Sequence, residues 1–318
     1  MDYPPTIATP HEVAFARSVL AGLGSSPKSL EARWLYDAVG AKLFEAITKL
    51  DHYYLTRTEA SLIEAHAGDI ADALGTGVTI VEPGSGEAVK VRPILEALGK
   101  RAAGYVPIDI AADQLAEVTR ELTALYPGLA VTGIAADFFR PFTMERPDNA
   151  VIFFPGSTVG NMEPDAAIAF FRRLMDATGA RRFLIGFDLV KDPAVLEAAY
   201  DDPAGVTAAF EKNVLQRINR ELFGTFDLSK FDYRAEFNRE TASVEMRLIS
   251  REAQTVEVAG NAIRFDRGET IRTEESRKYT VERFADFARG ADLAPVATWT
   301  DDKGYYAVML LETASAHA

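Results

Sequence analysis

Val78-Thr79-Ile80-Val81-Glu82-Pro83-Gly84-Ser85-Gly86-Glu87 reads as a buried apolar strand running into a glycine-rich turn. Glycines there let a ligand approach the backbone. A helix opening after the turn and running to position 98 would offer unpaired N–H groups at its N-terminus. The pattern is Gly-x-Gly without the third glycine of a dinucleotide fingerprint, since Ala88 and Val89 stand where it would fall. On its own, the turn fits an ordinary strand-to-helix connection equally well.

Outward from this turn the chain alternates. Helical spacing is expected over 58–74, with Leu62, Ile63, His66, Ile70 and Leu74 on one face and Thr58 as a sensible N-cap. Strands are expected over 104–110, 129–133, 150–154 and 182–189, separated by helices over 112–124 and 164–177. Near-continuous apolar strands between helices predict an α/β fold with a parallel, doubly wound sheet. After Asp192 the rhythm changes. Positions 193–222 read as largely helical, and 243–249 and 255–265 as strands joined by a turn. From about Thr280 a helix precedes a hairpin, 295–299 and 305–311, around Asp301-Asp302-Lys303-Gly304, placed to close the edge of the first sheet. The segment before 58 lacks strand rhythm. The expected division is a sheet domain over 58–191 and 280–318, and a smaller α+β domain over 1–57 and 192–279.

Three acids fall at successive strand ends. Glu82 precedes the glycine turn, where an acidic strand end suits an adenosyl sulfonium better than a pyrophosphate. Asp109 ends the next strand, placed to accept from two ribose hydroxyls, and Asp137-Phe138 follows the third, an acceptor for an adenine amine beside an aromatic face. Each alone reads as a solvated loop acid. Together they mark the carboxyl edge where open α/β sheets bind ligands. The fourth strand leads into Phe154-Pro155-Gly156-Ser157-Thr158-Val159-Gly160-Asn161, with Asn161 pointing to a cleft. Ser157 is a poor nucleophile candidate, because Gly-x-Ser-x-Gly is absent and no histidine is placed as its base. His52 and His66 read as surface or packed residues, and Arg272-Thr273-Glu274-Glu275-Ser276-Arg277-Lys278 as a solvated charged turn.

Composition narrows the class of partner. Of 318 residues, 34 are Lys or Arg and 47 Asp or Glu, so the net charge is −13, which disfavours nucleic acid and anionic membranes. The absence of cysteine excludes disulfides, thiolate metal sites and thiol nucleophiles, and no metal site is expected. The fourth histidine signal, His317, lies in the tail. Without a secretory pattern at the N-terminus or an apolar run of spanning length, a soluble cytoplasmic protein is the default, and a monomer is expected.

Several segments carry a more specific signal: Ser26-Pro27-Lys28-Ser29-Leu30, Trp34-Leu35-Tyr36-Asp37, Tyr53-Tyr54-Leu55-Thr56-Arg57-Thr58-Glu59, Gly156-Ser157-Thr158-Val159-Gly160-Asn161, Asp188-Leu189-Val190-Lys191-Asp192 and Tyr200-Asp201-Asp202. In order along nearly the whole chain, they resemble the histidine Nα-methyltransferases of ergothioneine biosynthesis. The resemblance implies a Rossmann-like class I methyltransferase sheet plus a substrate-binding domain. It implies S-adenosylmethionine as cofactor and three methyl transfers to the α-amine of L-histidine, giving hercynine. It further implies that Tyr36, Gly84, Gly86, Lys90, Asp109, Asp137, Phe138 and Ser157 hold the cofactor. Asn161 and Tyr200 would bind the amino-acid carboxylate, Tyr36 and the Gly156 carbonyl would flank the amine, and Tyr54, Met246, Glu274 and Ser276 would surround the side chain. Tyr36, Gly156 and Asn161 form the implied catalytic set.

The chain departs from the family pattern at Ala88, where a small hydroxyl residue is usual, and at Pro83 and Pro155, which replace aliphatic residues in cofactor-side loops. The alternatives are a related methyltransferase acting on another amino acid or a histidine derivative, and a non-catalytic S-adenosylmethionine-binding homologue. A nicotinamide oxidoreductase is disfavoured by the missing third glycine.

Overall fold

Alternation within the apolar strands sorts their side chains onto the two faces of one sheet. The computed structural model describes residues 10–314. In chain order its elements are α1 (Pro10–Leu23), β1 (Lys28–Ser29), α2 (Ala38–Thr48), α3 (Leu55–Ala65), α4 (Ala67–Leu74), β2 (Val78–Pro83), α5 (Arg92–Leu98), β3 (Ala102–Asp109), α6 (Ala112–Leu125), β4 (Ala130–Val131), β5 (Ile134–Ala135), β6 (Ala150–Phe154), α7 (Pro164–Thr178) and β7 (Arg182–Asp188). There follow α8 (Pro193–Tyr200), α9 (Val206–Glu221), β8 (Phe231–Asn238), β9 (Ser243–Ser250), β10 (Gln254–Val258), β11 (Asn261–Phe265), β12 (Thr270–Arg277), α10 (Val281–Arg289), β13 (Leu293–Thr300) and β14 (Tyr306–Thr313). Contacts divide the chain into two units, one of Leu55–Val190 with the chain from Lys278, the other of the chain up to Tyr54 with Lys191–Arg277.

The first of these is built on a sheet of order β13-β14-β7-β6-β2-β3-β4, with β5 also on β3. Pairings among β2, β3, β4, β5, β6 and β7 are parallel, and β14 enters antiparallel between β7 and β13. This is the α/β sheet expected from the sequence, a Rossmann-like class I arrangement with its C-terminal antiparallel hairpin. One face packs Val81, Ile152, Phe154, Phe183, Ile185, Met309 and Leu311 with side chains of α7 and α10. The residues between them, Ile80, Val151, Phe153, Leu184, Val308 and Leu310, pack on the other face with side chains of α3, α4, α5 and α6. Period-two alternation thus supplies both cores, which is why these strands read as continuous apolar runs.

Two local expectations are corrected here. The helix expected over 58–74 is two helices broken at His66, and the first begins at Leu55, so Thr58 lies inside it rather than capping it. The helix after the glycine turn opens only at Arg92, so residues 85–91 are turns and the glycines do not face a helix N-terminus.

The other unit carries the sheet β1-β12-β9-β8, in which β1 is parallel to β12 and the remaining pairs are antiparallel. Positions 243–249 do not pair with 255–265 as expected. β9 lies between β8 and β12, and 254–265 folds on itself as β10 and β11, through a turn in which Ala259 and Gly260 both have positive φ. The charged run 272–278 is not a solvated turn. Most of it is β12, whose Thr273, Glu274, Glu275 and Ser276 are buried. The N-terminal segment, expected to lack strands, contributes the two-residue β1. In α9 the core-facing stripe includes polar side chains: Arg217 donates to the Trp34 carbonyl at 3.1 Å and Asn213 to Asp37, the N-cap of α2, which the exposed Arg220 also meets. His317 lies outside the described residues.

In the first unit, Lys278 Nζ meets Asp188 Oδ2 at 2.9 Å, with both side chains fully buried. Breaking a buried pair leaves a carboxylate without its cation. Lys278→Met is expected to lower unfolding free energy by about 3–5 kcal/mol, measured by urea denaturation. A loss no larger than that of an exposed lysine would contradict this.

Candidate active site

The glycine turn depends on backbone conformations that side chains resist. Gly84 (φ +72°) lies so close to Phe138 that a Cβ would sit 3.2 Å from two ring carbons. At Gly86 (φ +50°) nothing would meet a Cβ within 4 Å, so the backbone there borders open space. The Gly86 N–H donates to Asp109 Oδ2 at 3.1 Å, and the Ala111 N–H to Oδ1 at 3.0 Å. Asp109 is therefore braced at the end of β3, with lone pairs remaining for paired hydroxyls. Ala88 is buried and packs into the core, so the departure from the family pattern there faces the interior.

Glu82 has a different environment from the one its position suggested. It is buried, accepts from the Tyr105 hydroxyl at 2.6 Å, and burial raises its pKa to about 8. Near neutral pH it is an uncharged acid. Asp137 accepts from the Phe139 N–H at 3.0 Å and pairs with Arg140 at 3.2 Å. The Phe138 ring packs among Phe139, Phe154 and Phe170 as well as on Gly84. Gly84, Gly86, Asp109, Asp137, Phe138 and Gly156 all follow or end parallel strands at one edge of the sheet, where α/β folds bind nucleosides.

Lys90 is held by a residue that sequence reasoning missed. Glu59 of α3, almost fully buried, takes Lys90 Nζ at 2.5 Å, the Gly156 N–H at 2.9 Å and the Tyr306 hydroxyl at 2.8 Å. A Cβ at Gly186 would lie 2.0 Å from Glu59 Oε1, so only glycine fits beside it. The signal was present: Leu55, Glu59, Leu62 and Ile63 form the helix's buried stripe, and an acid in that stripe must be partnered. Ser157 (φ +55°) is buried, and its Oγ accepts the Asp188 N–H at 3.0 Å, tying the loop to β7. Asn161 is exposed at the end of a short 3₁₀ turn, Thr158–Asn161.

The other expected residues lie in the second unit. Strand alternation puts Glu274 and Ser276 on one face of β12, while Glu275 on the other pairs with Arg272 and Arg277. A bulge at Thr273 re-phases the strand, setting Glu274 opposite Met246 of β9. The Tyr200 hydroxyl lies 3.0 Å from Ser276 Oγ, and Tyr54 accepts from Lys191 at 2.6 Å. The Tyr36 ring packs edge-on against Phe44 and Phe210. Although Tyr36 is 41% exposed as a residue, desolvation around its hydroxyl, then the charge of Glu274, push its pKa above the usual value, so it stays a neutral donor. Glu211 of α9 was also missed. It is 1% exposed and hydrogen-bonded to Thr273 and Glu274, and burial followed by the charge of Glu274 raises its pKa well above the carboxylate range.

A strand order with an inserted antiparallel hairpin, and acids at successive strand ends beside a Gly-x-Gly turn, define a class I methyltransferase. The chain belongs to the histidine-specific, S-adenosylmethionine-dependent methyltransferase family, whose model matches residues 15–313. It is 39% identical over 303 residues to the histidine N-alpha-methyltransferase of Mycolicibacterium smegmatis, covering 93% of this chain and 94% of that protein. Identity to the Mycobacterium tuberculosis protein of the same name is 38% over 307 residues, 94% of each. Ergothioneine biosynthesis protein 1 of Neurospora crassa is 30% identical over 290 residues, which span 88% of this chain and 32% of that one.

Because the pKa of Glu82 rises from 4.5 when unfolded to about 8 when folded, the folded state binds the extra proton between those values, and stability falls as pH rises through that window. Glu82→Gln is expected to flatten this slope, so that the variant gains on the wild type between pH 6 and pH 9 in urea midpoints. Parallel slopes for the two proteins would refute the assignment.

Proposed function

We propose that this enzyme transfers methyl groups from S-adenosylmethionine to the α-amine of L-histidine, three times, to give hercynine. The reading is carried by the buried polar face of β12, where Glu274 and Ser276 stand together with Tyr200. An imidazole offers one N–H donor and one acceptor nitrogen, which a carboxylate and a hydroxyl match. An apolar side chain would leave Glu274 without that partner, at a cost of about 1–3 kcal/mol. The histidine-specific family and its two mycobacterial relatives support the same substrate.

The residues present fit the cofactor: positive-φ glycines bordering open space, a braced Asp109 for ribose hydroxyls, and Asp137 with Phe138 for adenine. Tyr36, Lys90 and Ser157 complete this set. When bound, S-adenosylmethionine supplies the methyl group, its C–S bond breaking with the electron pair going to sulfur as the N–C bond forms. The protein's work is positioning. Asn161 and Tyr200 hold the carboxylate, while Tyr36 and the Gly156 carbonyl orient the amine lone pair toward a contact of about 3 Å. Tyr54, Met246, Glu274 and Ser276 enclose the side chain. The ammonium loses one proton before each transfer, and Tyr36, as a neutral phenol, steers the nitrogen rather than acting as a strong base. The sheet unit is the cofactor domain in this reading and the other unit the substrate domain. The partner is a small amino acid rather than nucleic acid or membrane, and the enzyme acts as a cytoplasmic monomer. Among the described residues no helix is long and apolar enough to cross a membrane.

Incubating the purified enzyme with S-adenosylmethionine and single amino acids is expected to give histidine carrying three added methyl groups, read by mass spectrometry. Absence of any methylated histidine, or a higher catalytic efficiency with another amino acid, would reject the substrate. Glu274→Ala is expected to raise KM for histidine about 10- to 100-fold, as loss of a charged hydrogen bond requires.

A further inference from the structure

Two carboxyl groups from different elements meet in the substrate unit, and only one of them belongs to the set expected to contact histidine. Glu211 occupies the buried stripe of α9, whose other polar members include Asn213 and Arg217, which donate to Asp37 and to the Trp34 carbonyl. It is hydrogen-bonded to Glu274, and its Oε2 accepts no hydrogen bond among the described residues. No ion pair to Glu211 occurs among the described residues either. Facing it are Glu274 and Thr273 of β12, with Tyr36 and Tyr233 nearby. The charged residues of the adjoining α2, Lys42 and Glu45, are exposed. Two ionised carboxylates in such a place would repel, and a proton held between them relieves it.

We propose that Glu211 is a positioning residue for side-chain recognition: as a neutral acid it donates a hydrogen bond to Glu274, keeping that carboxylate ionised and turned toward the substrate's imidazole N–H. The proposal rests on the histidine reading above. The acid that reads the substrate is thereby oriented by a second acid, and the pair carries one negative charge. A glutamine at 211 would reproduce the donor with its amide N–H, whereas an alanine removes it.

The test is steady-state kinetics with histidine at saturating S-adenosylmethionine for the wild type, Glu211→Gln and Glu211→Ala, with folding checked by circular dichroism. Glu211→Gln is expected to hold KM within about 3-fold, and Glu211→Ala to raise it about 10-fold or more with kcat changed much less. As pH rises above neutral the wild-type KM is expected to climb more steeply than that of Glu211→Gln, since only the wild type can ionise the second carboxyl. An unchanged KM in a folded Glu211→Ala, a glutamine variant as impaired as the alanine one, or superimposable pH profiles would each overturn the proposal. Should the alanine variant fail to fold, the pH comparison decides alone. Failure of the wild type to methylate histidine overturns the substrate reading instead, and is seen before any variant is made.

Discussion

A carboxyl group taken out of water must keep a proton, a cation or enough N–H and O–H donors, and this one constraint shapes every buried acid in the molecule. Glu59 is met by Lys90, the Gly156 N–H and the Tyr306 hydroxyl. Asp188 has Lys278, and Asp109 has two backbone N–H groups. Glu82, met by the Tyr105 hydroxyl, and Glu211, met by Thr273 and Glu274, have too few donors for their burial and are driven toward the neutral form. The state of each acid therefore follows from its neighbours, so that Glu59 ties a loop to the sheet while Glu82 stays a neutral acid.

Within the sheet unit the same logic joins packing to chemistry. Apolar alternation fixes which face each side chain takes, and the parallel order brings the ends of β2, β3, β5 and β6 to one edge. The loops there are then shaped by polar ties to the sheet: Ser157 to β7, Asp109 to the glycine turn, Glu59 to Gly156. Gly84 and Gly186 are small because an aromatic ring and a carboxylate occupy the space a side chain would need.

Strong periodicity made the parallel strands and the closing hairpin legible in the sequence, and strand-end positions pointed to Asp109 and Asp137. The second unit was harder to read, for physical reasons. Seven of the eight residues of β12 carry a charge or a hydroxyl and only Ile271 is apolar, so its burial rests on ion pairs and carboxyl pairing that hydropathy does not register. β8 pairs across the sheet with β9 rather than with an apolar core strand of its own rhythm, and its exposed positions masked it. Glu59 and Glu211 were overlooked because acids are usually assigned to solvent. For Glu59 its place in an otherwise apolar helical stripe was the readable sign, whereas the stripe of Glu211 also carries Thr207, Asn213 and Arg217.

The insertion of β14 between β7 and β13 also has a meaning for synthesis. The hydroxyl that completes the surroundings of Glu59 belongs to Tyr306, 247 residues later in the chain. While a ribosome is still making the strands between β7 and β14, β7 is a bare edge carrying Phe183, Leu184, Ile185 and Phe187, open to pairing with another nascent chain. The surroundings of Glu59 are thus finished only when β14 emerges, so an enzyme cut short before Tyr306 loses both the strand that seals β7 and the third tie on Glu59.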